Sequence, residues 1–248
     1  MTITDEVRRY WDDDSEVYDG APHHHPTDPA ELAAWSAALE GALPRPPAQV
    51  LDCGAGTGFL SLIAARLGHR VTALDLSTRM LERLQRKASA EGLEVRVVAG
   101  PAEEPPSGPF DSVMERHLLW TLPDPVGALR AWRGAAPGGR LVLVEGVWGR
   151  VDPAERLRAR AREVLAAARR QRGGGGHHAP YPDELRTAMP FGEGTTPSQL
   201  AELVTTAGWR APRLFRLRDV EWAAAVQLPL PERLLGVSPR FLLTAGAE

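Results

Sequence analysis

The sequence predicts an α/β fold built around a parallel sheet. Three observations carry that reading. Short apolar runs alternate with helical stretches from residue 48 to residue 148, and strand and helix alternating at this spacing make right-handed βαβ units. The first apolar run, Val50-Leu51-Asp52, breaks into three close glycines, Gly54, Gly56 and Gly58. The next run ends on an acid, Asp75.

The elements follow in order. Residues 1–47 make an N-terminal helical cap: a short helix-like stretch with Tyr10, Trp11 and Tyr18, then Pro22-His23-His24-His25-Pro26. A helix opens at Thr27-Asp28-Pro29, where an N-cap acid precedes a proline in the first turn, and Pro44, Pro46 and Pro47 end it. Residues 48–148 are the core, with strands over 49–52, 70–75, 94–99, 110–115 and 140–147 and helices over 60–67, 78–90 and 126–133. Residues 149–195 interrupt the rhythm as an inserted helical lid. There Asp152-Pro153-Ala154-Glu155 reads as an N-cap, a first-turn proline and a capping-box glutamate. Leu157, Ala161, Val164, Leu165 and Ala168 then line one helical face, which runs into the glycine joint 173–176, His177, His178 and Tyr181. Residues 196–248 complete the core with a helix over 197–207 and strands over 213–218 and 240–244.

Composition narrows the function. The chain has 248 residues, 43% hydrophobic and 25% charged, as in an ordinary soluble enzyme. A net charge of −3 gives no overall pull toward nucleic acid or anionic lipid. The single cysteine, Cys53, excludes an intrachain disulfide and a multi-cysteine metal cage. The polar N-terminus has no signal-peptide pattern and no apolar run is long enough to span a bilayer, so a cytoplasmic location with no membrane partner is expected.

The glycine loop alone leaves two ligands open. A dinucleotide fingerprint reads G-x-G-x-x-G, but here the spacing is G-x-G-x-G and Phe59 stands where the third fingerprint glycine belongs. A carboxylate such as Asp75 at the second strand tip suits ribose hydroxyls in either case.

Later motifs separate the two. Asp52-Cys53-Gly54-Ala55-Gly56-Thr57-Gly58, with Ala73-Leu74-Asp75-Leu76-Ser77 and Met80, resembles the first two motifs of the class I S-adenosylmethionine-dependent methyltransferases. Gly100-Pro101-Ala102-Glu103 stands at that family's G-D-A-E, Phe110-Asp111-Ser112-Val113 at its F-D-x-V strand and Pro137-Gly138-Gly139-Arg140-Leu141 at its P-G-G-x-L turn. Tyr10-Trp11-Asp12 with Tyr18-Asp19 is similar to its Y-W-D…Y-D entry, and Ala207-Gly208-Trp209 to its A-G-F. The resemblance is close over residues 10–148 and loose over 196–248. It implies a Rossmann-like, doubly wound, seven-stranded and mostly parallel sheet with an antiparallel last strand, and S-adenosyl-L-methionine as cofactor.

The same resemblance implies site roles. Gly54, Gly56 and Gly58 expose backbone to the amino-acid end of the cofactor, Asp75 takes the ribose, and Ala102 serves the adenine edge with Leu76 and Met80 packing near its faces. Pro101 replaces the adenine-contacting acid of the family and has neither carboxylate nor N–H, which leaves that contact to Glu103. Tyr18 is expected to cover the cofactor, and Arg116 to bind cofactor or acceptor.

The fourth strand ends at Glu115-Arg116-His117, beside the expected ligand. His117 is the first candidate general base, its alternative a structural or cofactor-contacting role. Glu115 is either a second polar contact near the sulfonium or a capping group. Tyr10, Trp11, His25, His178 and Tyr181 are the acceptor-side candidates. Three consecutive histidines cannot all point at one ion, so no metal is expected. Seven arginines between Asp152 and Arg172 suit a solvated lid face better than RNA phosphates.

The functional expectation is methyl transfer to an N, O or activated C nucleophile of a small, aromatic or heterocyclic specialised metabolite, by a monomer or homodimer. The segment 116–125 resembles family members that decorate natural products. The alternatives are an RNA or protein methyltransferase, a non-catalytic cofactor-binding module and, third, a nicotinamide oxidoreductase.

Overall fold

The computed structural model describes residues 2–20, 24–146, 153–170, 181–192 and 194–247. Its centre is a seven-stranded sheet in the order β3-β2-β1-β4-β5-β7-β6. The strands are β1 (Gln49–Cys53), β2 (Arg70–Asp75), β3 (Val95–Ala99), β4 (Ser112–Arg116), β5 (Arg140–Gly146), β6 (Arg210–Arg216) and β7 (Arg240–Gly246). β1 to β5 pair in parallel, while β7 runs antiparallel to both β5 and β6. The chain leaves β1 toward one edge and returns through β4 toward the other, so the switch point lies between β1 and β4, where a doubly wound sheet opens a ligand crevice.

Helices cover both faces: α1 (Ile3–Asp14), α2 (Pro29–Ala42), α3 (Phe59–Arg66), α4 (Thr78–Ala90), α5 (Pro125–Ala135), α6 (Pro153–Arg170), α7 (Asp183–Ala188), α8 (Pro197–Thr206), α9 (Arg218–Val226) and α10 (Leu230–Leu235). Local chemistry sets their starts. Thr2 and Asp5 form a reciprocal capping box on α1, and Asp28 accepts from the amides of Ala30 and Glu31 at the start of α2. The strands alternate their burden between two cores. Leu51, Val113, Leu141 and Leu143 face Leu129 and Trp132 of α5 and Val204 of α8. Val50, Met114, Val142 and Val144 face Trp35 and Leu39 of α2 and Leu60 and Ile63 of α3. Both buried indoles on the first face are satisfied, Trp132 donating to the Ala102 carbonyl at 2.7 Å and Trp209 to that of Leu129 at 2.9 Å.

Several expectations change in detail. The strand expected over 213–218 is Arg210–Arg216, and a helix, α9, starts at Arg218. Val220, Ala223 and Ala224 of α9 are buried at helical spacing, an apolar stripe too short to stand out in the sequence. The expected apolar face of α6 is not buried as one: Leu157 is 71% and Val164 69% exposed. Arg162 instead holds the helix to the C-terminal segment, reaching the carbonyls of Leu235 and Gly236. Asp152, the glycine joint 173–176, His177 and His178 lie outside the described residues. No described helix is long and apolar enough to cross a membrane.

Candidate active site

The glycine loop after β1 is shaped by backbone, not by side chains. Gly54, Gly56 and Gly58 all have positive φ, at 65°, 54° and 94°, the region that favours glycine. The positions differ in what surrounds them. A Cβ on Gly54 would lie 2.7 Å from Leu118 Cδ1, and one on Gly58 2.7 Å from Leu84 Cγ, while one on Gly56 would meet open space. A side chain on Gly58 would thus press on Leu84 of α4, and Gly58 lines neither of the two recesses described next.

Two recesses adjoin at the carboxyl ends of β1, β2 and β4, sharing Trp11, Gly54, Asp75, Leu118 and Thr121. The first, about 500 Å³, is narrow and largely apolar, walled by Leu76, Ala102, Glu103 and Leu122, with Val7 of α1 closing it. The Ala102 carbonyl is committed to Trp132, so its amide is the group left for a ligand. Burial raises the Glu103 carboxyl above its usual range. The second recess, about 840 Å³ with its open mouth, is bordered by Tyr18, His24, Met80, Arg116, His117 and Trp120. Met80 thus sits in the second recess and not with Ala102 and Glu103.

Asp75 stands between the two. Its Oδ2 accepts the Gly56 amide at 2.7 Å and its Oδ1 the Ser77 amide at 2.8 Å. These bonds fix the carboxylate but leave a lone pair on each oxygen. Burial pushes its pKa up to about 6, against the pull of the two amides.

Arg116 lies with its guanidinium 3.9 Å over the Phe59 ring. His117 follows with φ of 58°, a left-handed turn that takes the chain out of β4. Its Nδ1 lies 3.2 Å from Glu145 Oε2 on the neighbouring strand. Burial first, then the Arg116 and Arg240 guanidiniums, disfavour the imidazolium and lower its pKa; the exposed third of the side chain tempers that shift. Glu115 is fully buried, lines neither recess, and accepts the Leu118 amide at 2.8 Å. Of its two expected roles, the geometry fits the cap.

The N-terminal segment forms the roof. Asp12 accepts the Ser77 hydroxyl at 2.6 Å, and Asp19 accepts from Thr57 and pairs with Lys87 of α4. Tyr18 stacks on His24, with ring centroids 4.2 Å apart. Tyr181 meets Tyr10 at 4.8 Å, Trp11 at 6.0 Å and Trp120 at 4.9 Å. Tyr10 therefore contributes through this cluster, behind the recess wall. Of the two described histidines of the triplet, His24 lines the second recess and His25 lines neither, feeling instead the charges of Lys87 and Asp19. Consecutive residues project differently, so the triplet alone did not say which one. Asp12, Asp19 and Glu145 were not among the expected site residues, whereas Trp120 and His24 lie in segments expected to border the acceptor. The two acids do stand in the Y-W-D…Y-D pattern, and Glu145 is an acid closing an otherwise apolar strand.

Comparison with known proteins shows what the chain is similar to. Residues 51–143, from β1 to β5, match the methyltransferase domain family. The match takes in 93 of the 248 residues. A ubiquinone biosynthesis O-methyltransferase of Xanthomonas axonopodis pv. citri (strain 306) is 34% identical over 143 residues, which cover 55% of this chain and 56% of the relative. The chain thus spans about half the length of the curated relatives it matches. A solved geranyl diphosphate C-methyltransferase from Streptomyces coelicolor A3(2) covers all of this chain, and 99% of its own, with a TM-score of 0.62 at 16% identity. A solved SAM-dependent methyltransferase from Aquifex aeolicus covers 89% of this chain and 94% of itself, with a TM-score of 0.58 and 16% identity. The Rossmann-like fold inferred from the motifs is the fold these structures share.

Proposed function

We propose that this chain moves a methyl group from S-adenosyl-L-methionine to a hydroxyl oxygen of a small aromatic or heterocyclic molecule. The observation that carries the reading is the pair of adjoining recesses, one flat and apolar, the other aromatic-walled with Arg116 and His117 in it. The residues fit the cofactor chemically. Leu76, Leu122 and the Ala102 amide suit an adenine, with Glu103 at its edge. Asp75 has acceptor capacity for two ribose hydroxyls, the Gly54–Gly56 backbone and Arg116 suit the amino-acid end, and Tyr18 closes over it.

When bound, the cofactor supplies an activated methyl on a sulfonium. The chain has then to align the acceptor, exclude water and take a proton. Trp11, Tyr18 and Trp120 present faces on which a planar acceptor stacks, with Tyr181 and Tyr10 bracing them. His117, neutral and facing the second recess, is the group placed to take a hydroxyl proton. Oxygen is favoured over nitrogen or carbon because the curated relatives are named O-methyltransferases and because a hydroxyl must shed a proton. The acceptor is read as a specialised metabolite on the motif over 116–125. A ubiquinone-biosynthetic acceptor is the second reading, favoured by the relatives' name.

The test is calorimetry with S-adenosylmethionine and a nicotinamide dinucleotide, followed by a labelled-methyl screen of aromatic hydroxyl compounds and metabolite extracts. Saturable binding of the first cofactor and label in a small molecule are expected. Preference for the dinucleotide overturns the reading, and tight binding without any methylated product turns it into a cofactor-binding module.

A further inference from the structure

A buried carboxyl lies behind the candidate base. Glu145 closes β5, is 1% exposed, and faces the same side of the sheet as Leu143 and Val113. Its Oε2 lies 3.2 Å from His117 Nδ1, while Oε1 has no hydrogen-bond partner. The imidazole is held from three directions. The His117 amide donates to the Val144 carbonyl at 3.2 Å, extending the β4–β5 ladder by one residue. The left-handed φ of His117 sets the direction of Cβ, and the Leu118 amide, bonded to Glu115, fixes the turn that follows. Gly146 completes the seat, since a Cβ there would lie 3.4 Å from His117 Cε1.

We propose that Glu145 is the positioning residue of His117, holding Nδ1 and setting which tautomer turns Nε2 toward the second recess. Two arrangements satisfy the same contact. A protonated Glu145 donates to Nδ1, so the ring hydrogen sits on Nε2, which then only donates. An ionised Glu145 accepts from Nδ1–H, and Nε2 becomes a free acceptor. Passing from the first to the second releases one proton to solvent, from Nε2 by way of the pair, and leaves the remaining one on Nδ1. The groups around the pair set where this happens. Burial favours the protonated acid, Arg116 on β4 and the Gly146 amide favour the ionised one, and the charges of Glu145 and of Asp52 on β1 both hold Glu115 toward its neutral form. Arg116 and Arg240, the latter on β7, oppose a third state with an imidazolium. The switch therefore falls above the usual carboxylate range and joins two neutral-ring states. The place of His117 in methyl transfer rests on the function proposed above; the tautomer control does not.

The experiment is nitrogen-15 NMR of the full chain labelled at histidine, with the His117 ring assigned by its loss in His117→Asn, titrated from mildly acidic to alkaline pH. The wild-type ring is expected to pass from Nε2–H to Nδ1–H without an imidazolium stage, and Glu145→Gln to show no such passage while S-adenosylhomocysteine binds within threefold of wild type. A wild-type ring that keeps one tautomer across the range, or a Glu145→Gln ring that switches as wild type does, overturns the proposal. The wild-type titration decides it even where the variant fails to fold. Methyl transfer is read separately: a Glu145-dependent switch with transfer indifferent to His117→Ala supports the positioning and removes the base role.

Discussion

Asp19 accepts the hydroxyl hydrogen of Thr57 at 2.6 Å, joining the N-terminal segment to the glycine loop across 38 residues of chain. The same carboxylate pairs with Lys87 Nζ at 3.0 Å, about one-fifth exposed on each side. One acid thereby ties roof, loop and α4 together. Removing it leaves a partly buried ammonium and a hydroxyl without their partner, at a cost of about 1.5–3 kcal/mol for bonds to a charged group. Asp19→Ala is expected to loosen the roof, raising the cofactor Kd and speeding protease cleavage between residues 14 and 28. Unchanged cleavage and Kd would show that the roof holds without this tie.

Asp75→Ala is expected to weaken S-adenosylmethionine binding at least tenfold, because a carboxylate–hydroxyl contact is charge-assisted. The variant also frees the amides of Gly56 and Ser77, so Asp75→Asn serves as the milder control. The pH dependence follows from the raised pKa of about 6: binding should be full above that value and weaken as pH falls through it. The sign for stability is the reverse. A buried acid with a raised pKa binds its proton more tightly in the folded state, so its contribution to stability declines as pH rises between about 4 and 6. Calorimetry and thermal melts at several pH values test both.

His117→Ala is expected to lower turnover while leaving cofactor affinity nearly intact. A parallel loss of both would make His117 a cofactor residue. The comparison needs kcat and a cofactor Kd measured on the same preparation.

Gly58→Ala is expected to destabilise the fold more than it perturbs the recesses. The new methyl would sit 2.7 Å from Leu84 Cγ in a conformation with φ of 94°, and overpacking of this kind costs about 1–3 kcal/mol. Denaturant unfolding should show the loss, with cofactor Kd largely kept in the folded fraction. A normal stability with lost binding would return Gly58 to the ligand.

Much of the fold was legible in the chain, because its signals are local. The N-cap at Asp28, the prolines after α2 and the apolar strands needed no partner to be read. β2 and α4 coincide with the expected ranges, and most of the other core bounds shift by a residue or two. α9 escaped notice because its burial depends on where α2 passes, and α10 because it is six residues long with no buried side chain to mark it. The motif register also brought Gly54, Asp75, Ala102 and Glu103 to one recess.

By itself, the sequence determined the alternation of strand and helix, the glycine turn and the acid at the end of β2, since each follows from backbone preference and short-range pattern. Tertiary structure decided the rest of the site. It set His24 and not His25 on the recess, left Gly58 outside both recess walls, buried Glu115 and set Glu145 behind His117. The physical reason is distance along the chain. Residues 117 and 145 meet only because β4 and β5 pair in register, and residues 19 and 57 only because the roof folds back onto the glycine loop.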